Sequence, residues 1–123
     1  MGDRDFVILA VVAVGLTALD WVLFMAVCVL GRRAGSRRNA WAGIRTPSTM
    51  ASDEAWRAGH QAAMRHVILN GIAIIPVSIV LLIFVGDKPL PIFIAQVVLF
   101  LVSLAWILVA TREAGRAARS VQE

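Results

Sequence analysis

An all-α integral membrane protein with three transmembrane helices is the fold this sequence predicts. Three observations carry that reading: the apolar content, three apolar runs of spanning length, and the uneven placement of the arginines. Of 123 residues, 59% are hydrophobic and the mean hydropathy is +0.80, whereas soluble domains are roughly 45–50% apolar. A soluble fold of this size has too little interior for so much apolar surface, so lipid must cover part of it. One membrane domain over residues 1–123 is the expected unit.

The first run, residues 6–30, is apolar apart from Thr17 and Asp20. Its flank Met1-Gly2-Asp3-Arg4-Asp5 lacks a net positive charge, and the run exceeds the roughly 7–15 residues of a signal-peptide core. It is expected to remain as an anchor. The second run, 67–85, is interrupted by Asn70 and Ser78, and the third, 90–111, by Gln96 and Ser103. Each run supplies the roughly 20 residues that a helix rising about 1.5 Å per residue needs to cross about 30 Å of hydrocarbon. Only residues 86–89, Gly-Asp-Lys-Pro, separate the second from the third, so those two helices form an antiparallel hairpin.

Orientation follows from the arginines. Residues 31–66 carry Arg32, Arg33, Arg37, Arg38, Arg45, Arg57 and Arg65, and the tail 112–123 adds Arg112, Arg116 and Arg119, while Arg4 and Lys88 lie on the other side beside acidic residues. The positive-inside bias places the long loop and the C-terminus in the cytoplasm and the N-terminus and the 86–89 turn outside. The net charge of +4 thus reports topology and anionic-lipid contact, and no direct nucleic-acid binding is expected. Cys28 is the only cysteine, which excludes an intrachain disulfide and a thiolate cluster, and its apolar run suits a buried, inert thiol.

Within the membrane Asp20 stands out. It lies roughly 15 Å from the inner end of its run, where an unpartnered carboxylate costs several kcal/mol. Counted the same way, Ser78 and Ser103 fall at depths of roughly 16 and 12 Å, so the three could meet near the midplane. Pro76 frees the carbonyl of Ile72, which could accept a proton from Ser103 or Asp20. A satisfied polar cluster, a waypoint for protons or solutes, and an oligomer contact all remain open for this group. Asn70 and Gln96 read as ordinary helix-to-helix hydrogen bonders.

The loop 31–66 is uneven. Residues 39–47 carry glycine and proline and read as a shaped turn, and Ser52 followed by Asp53 and Glu54 reads as a helix start. From there Trp56, His60, Met64 and Val67 form one stripe at helical spacing, opposite Arg57, Gln61 and Arg65. A short interfacial helix over about 53–66 is expected, lying on the inner surface before the chain enters the membrane. Arg45 and Thr46 could face its N-terminus and hold a phosphate, or Arg45 could pair with Asp53 or Glu54. His60 and His66 point in different directions on a helix, so neither a metal site nor a cofactor is expected. No nucleophile, base and acid stand at a recognised spacing, so an enzyme is not expected either.

The stretch Asn39-x-x-x-Gly43-Ile44-Arg45-Thr46-Pro47-x-Thr49, followed by Ser52-x-Glu54-x-Trp56-x-x-x-His60, resembles the signature of the SdpI-like bacterial membrane proteins. The resemblance implies a non-enzymatic protein of immunity or sensor type. The family takes its name from a protein that protects its producer against a secreted peptide toxin and recruits a repressor to the membrane. It also marks Asn39, Gly43, Ile44, Arg45, Thr46, Pro47, Thr49, Trp56 and His60 as the loop positions to examine for partner or anion binding. The partners implied are anionic lipid headgroups, a cytoplasmic regulator or peptide toxin, and a second copy of the chain. Two alternatives rest on the residues alone: a small oligomeric transporter or channel using Asp20, and a lipid-phosphate enzyme at the inner leaflet using Arg45 and His60.

Overall fold

A computed structural model describes residues 1–122. Helices α1 (Asp3–Arg32), α2 (Asp53–Ile83) and α3 (Pro89–Ser120) make up the fold, with one 3-10 turn at Thr49–Ala51 and no strand among the described residues. Local chemistry sets the ends. The Asp5 carboxylate accepts the Gly2 N–H at 2.9 Å, and the Ser52 hydroxyl accepts the Ala55 N–H at 3.0 Å, each supplying a partner that a helix start lacks. Pro89 opens α3, where its missing N–H costs nothing. Pro76 lies inside α2, yet the helix continues through it to Ile83.

All three helices are long and apolar enough to cross a membrane. At 30, 31 and 32 residues they reach about 45 Å or more, well beyond the roughly 30 Å of hydrocarbon. The excess of α2 and α3 gathers at the arginine-rich end and forms a platform with the loop.

Packing is inverted relative to a soluble protein. Ala10, Ala13 and Thr17 of α1, Ala55, Ala63 and Ser78 of α2, and Ala110, Ala114 and Ala118 of α3 are buried, while Ile8, Leu16, Leu23, Ile79, Val98 and Leu108 are exposed. Small residues let backbones approach closely, and large apolar ones meet lipid. The Trp21 indole N–H donates to the Val67 carbonyl of α2 at 2.8 Å, which places residues 20–21 of α1 level with 67–70 of α2.

The short interfacial helix expected over about 53–66 does not exist as a separate element. Those residues form the first turns of α2, which runs unbroken into the apolar stretch. Trp56, His60, Met64 and Val67 are all buried, so the stripe turns into the bundle and leaves no apolar face to lie on a membrane surface.

Candidate functional site

The loop signature folds into a clamp around His60. Asn39 starts it: its side-chain oxygen accepts the N–H groups of Trp41 at 3.0 Å and Ala42 at 2.8 Å, turning the chain. Gly43 follows with φ of 120°, a region L side chains rarely adopt, and an added Cβ there would strike the Trp56 ring. The next residue, Ile44, donates its N–H to His60 Nε2 at 2.9 Å. Because Nε2 accepts, the ring proton sits on Nδ1, which donates to the Trp56 carbonyl at 2.7 Å. The His60 and Trp56 rings pack with centroids 4.3 Å apart, and Gly31 of α1 closes the other side, where a Cβ would overlap the imidazole. The far flank is held by Thr49, whose hydroxyl donates to the Ile44 carbonyl at 2.6 Å and accepts the Thr46 N–H at 2.9 Å.

His60 lies seven residues before the apolar stretch of α2 begins. Burial pushes its pKa below the ordinary 6.5, with the Trp56 carbonyl pulling the other way. Its hydrogen bonds require the neutral ring, because a protonated Nε2 could not accept from Ile44.

Three of the seven loop arginines bond backbone carbonyls. Arg38 donates to the Met50 carbonyl at 3.1 Å, Arg57 to the Ser36 carbonyl at 2.8 Å, and Arg45 to the Ala40 carbonyl. No ion pair joins Arg45 to Asp53 or Glu54 among the described residues. Arg38 takes Asp53 instead, with Nε 3.8 Å from the carboxylate.

Beside the clamp lies an open cleft of about 530 Å³ lined by Thr46, Pro47, Ser48, Thr111, Gly115 and the arginines Arg112, Arg116 and Arg119. Arg116 pairs with Glu113 at 2.9 Å, and Arg119 donates to the Ser48 hydroxyl at 3.4 Å. Arg112 is exposed and has no side-chain bond among the described residues. The spacing of 112, 116 and 119 puts all three on one face of α3. Their clustering was visible in the sequence, but the loop turn that walls the cleft opposite them was not.

Within the bundle, Ser103 Oγ lies 3.2 Å from Asp20 Oδ2 and 3.2 Å from Asn70 Oδ1, and Asn70 Nδ2 donates to the Ser103 carbonyl at 3.2 Å. Ser78 does not join them. Its carbonyl accepts from Gln96 at 2.8 Å, two turns nearer the Gly86 turn. Counting from the ends of the apolar runs misplaces it because α2 begins to pack at Ala55, well before its apolar stretch, which shifts its register against α1. The Ile72 side chain is 67% exposed and faces outward, and Ser103 bonds Asp20 and Asn70 rather than the carbonyl Pro76 frees. Among the described residues no cluster of metal-binding side chains occurs.

No curated protein and no solved structure matches the chain. The model of the SdpI/YfhL protein family matches residues 36–110, more than half of the chain, and takes in the clamp, all of α2 and most of α3. With three helices of membrane-spanning character and the Asn39–His60 clamp inside that match, this multi-pass membrane protein belongs to the SdpI/YfhL protein family.

Proposed function

We propose that the chain is a non-enzymatic protein of immunity or sensor type in the bacterial inner membrane, with its loop and C-terminus in the cytoplasm. Its platform binds phosphate-bearing headgroups of the inner leaflet in the cleft between α3 and the Thr46–Ser48 turn. One observation carries this reading. The loop arginines Arg38, Arg45 and Arg57 are tied to backbone carbonyls, whereas Arg112, Arg116 and Arg119 line one open cleft with the hydroxyl residues Thr46, Ser48 and Thr111. Guanidinium groups beside hydroxyl donors suit a phosphate, and an apolar run that ends at residue 111 favours headgroup depth for them. The buried signature residues then have a supporting role: Ile44, Thr49, Trp56 and His60 fix the turn that forms one wall.

Native mass spectrometry of the detergent-solubilised protein with mixed phosphatidylglycerol and phosphatidylcholine tests this. An Arg112→Ala/Arg116→Ala variant is expected to lose most of the preference for the anionic lipid. An Arg33→Ala/Arg37→Ala variant, which removes equal charge outside the cleft, is expected to keep it. Equal losses in both variants would reduce the effect to net charge and refute the cleft.

A further inference from the structure

A second feature of the bundle is unrelated to the cleft. Asp20, Trp21, Phe24, His66, Asn70 and Ser103 line a cavity of about 10 Å³ between the helices, closed on the α3 side by Trp106, Ile107 and Ala110. That volume is about the minimum that seats a water. His66 Nε2 is buried there without a hydrogen-bond partner among the described residues, and a buried polar atom of this kind calls for a water or an exchangeable proton. Among the lining residues only Asp20 of α1 and His66 of α2 ionise, and α3 contributes none.

The hydrogen bonds around Asp20 are one donor short. The Ser103 hydroxyl has one proton but lies 3.2 Å from two oxygens that only accept, Asp20 Oδ2 and Asn70 Oδ1. The amide of Asn70 is fixed by its own donation to the Ser103 carbonyl at 3.2 Å, so its oxygen faces the hydroxyl. With Asp20 ionised, one acceptor goes without. A proton on Asp20 completes the chain: the carboxyl O–H donates to Ser103 Oγ, and Ser103 donates to Asn70 Oδ1.

We propose that Asp20, Ser103 and Asn70 form a proton-binding site within the bundle, and that His66 exchanges this proton with Asp20 through a water in the shared cavity. In the exchange the Asp20 O–H bond breaks, and the water takes that proton while passing one of its own to Nε2 of His66. A carboxylate and an imidazolium result, and the water is regenerated. The ligand is the proton itself, and its arrival changes a contact that joins all three helices.

The chain has two histidines, His60 and His66, so imidazole ¹⁵N resonances of protein labelled at histidine in lipid nanodiscs separate cleanly, with His60 reporting an intact clamp. Asp20→Asn is expected to move the His66 Nε2 resonance at neutral pH, because the group that shares its proton is gone. Asp87→Asn, in the turn at the far end, is expected to leave it in place. An unchanged His66 Nε2 resonance in Asp20→Asn overturns the exchange. Infrared spectra of the unmutated protein give a readout that needs no variant to fold: a protonated carboxyl band at neutral pH is expected, and its absence overturns the site.

Discussion

Replacing His60 with alanine should open the clamp, and the structure gives the size of the effect. The ring is fully buried and makes two hydrogen bonds, from the Ile44 N–H at 2.9 Å and to the Trp56 carbonyl at 2.7 Å. Orphaning the buried Ile44 N–H alone costs about 1–3 kcal/mol. Removing a buried ring leaves a cavity, and here the site collapses poorly because two of its walls, Gly31 and Gly43, have no side chains to lean in. Together the terms reach about 3–5 kcal/mol, so the loop should lift from the bundle at least 100-fold more often, at about 1.4 kcal/mol per decade. Cys28 reads this out. It is the only cysteine, is fully buried, and packs in the same cluster as Ile44 and Met64. Maleimide labelling of Cys28 under native conditions should accelerate by about that factor in His60→Ala, with helicity retained, and free imidazole should slow it again. Labelling within about twofold of the unmutated rate would show that His60 does not hold the loop.

The same clamp gives further outcomes. Gly43→Ala meets both the positive φ and the Trp56 ring, and should lower thermal stability in detergent by about 2 kcal/mol or more. Thr49→Val keeps the shape but strips the Thr46 N–H and the Ile44 carbonyl of their partner, at about 2 kcal/mol in the same assay. Stability should also fall on acidification. Burial lowers the folded pKa of His60 below 6.5, so the folded protein binds fewer protons than the unfolded one. The stabilisation is complete above about pH 6.5 and is lost as pH falls through the folded value. Thermal unfolding from pH 7.5 to 5 should show this slope, and His60→Gln should flatten it. By contrast, Gln96→Leu should change stability by less than about 1 kcal/mol, the usual scale for one polar contact between membrane helices.

Composition and charge made much of the fold legible, because a membrane span is a one-dimensional property of the chain. The stripe Trp56, His60, Met64 and Val67 was legible for the same reason, since periodicity alone names a buried face. What it faces was not. Apolar surface at that depth could meet lipid headgroups or protein, and only the fold of residues 31–52 over it decides for protein. Register was the other loss. Apolar boundaries mark where lipid begins, whereas helix packing is set by where small side chains let backbones meet, and in α2 that starts at Ala55. That Asp20 shares Ser103 with Asn70 rather than with Ser78 is the direct consequence. The place of His66 beside Asp20 was not legible, because nothing in the sequence shows that its ring lines the same cavity.

The division of labour within the loop follows from which side chains are already committed. Isoleucine, threonine, tryptophan and histidine of the signature bond or pack against one another, and Arg45 is tied to the Ala40 carbonyl, so these residues have little left with which to grip a partner. Any effect of theirs on the proposed headgroup binding therefore passes through shape: they hold the Thr46–Ser48 turn at the distance from α3 that makes a cleft. The family match ends at residue 110, before Arg112, Arg116 and Arg119, so the shared part of the chain accounts for the turn and the three arginines for the charge it faces. A substitution in the clamp should then weaken anion binding and loosen Cys28 together, while a substitution at Arg112 should weaken binding and leave Cys28 protected. Loss of binding in His60→Ala with Cys28 still protected would contradict that order and would make His60 itself a contact.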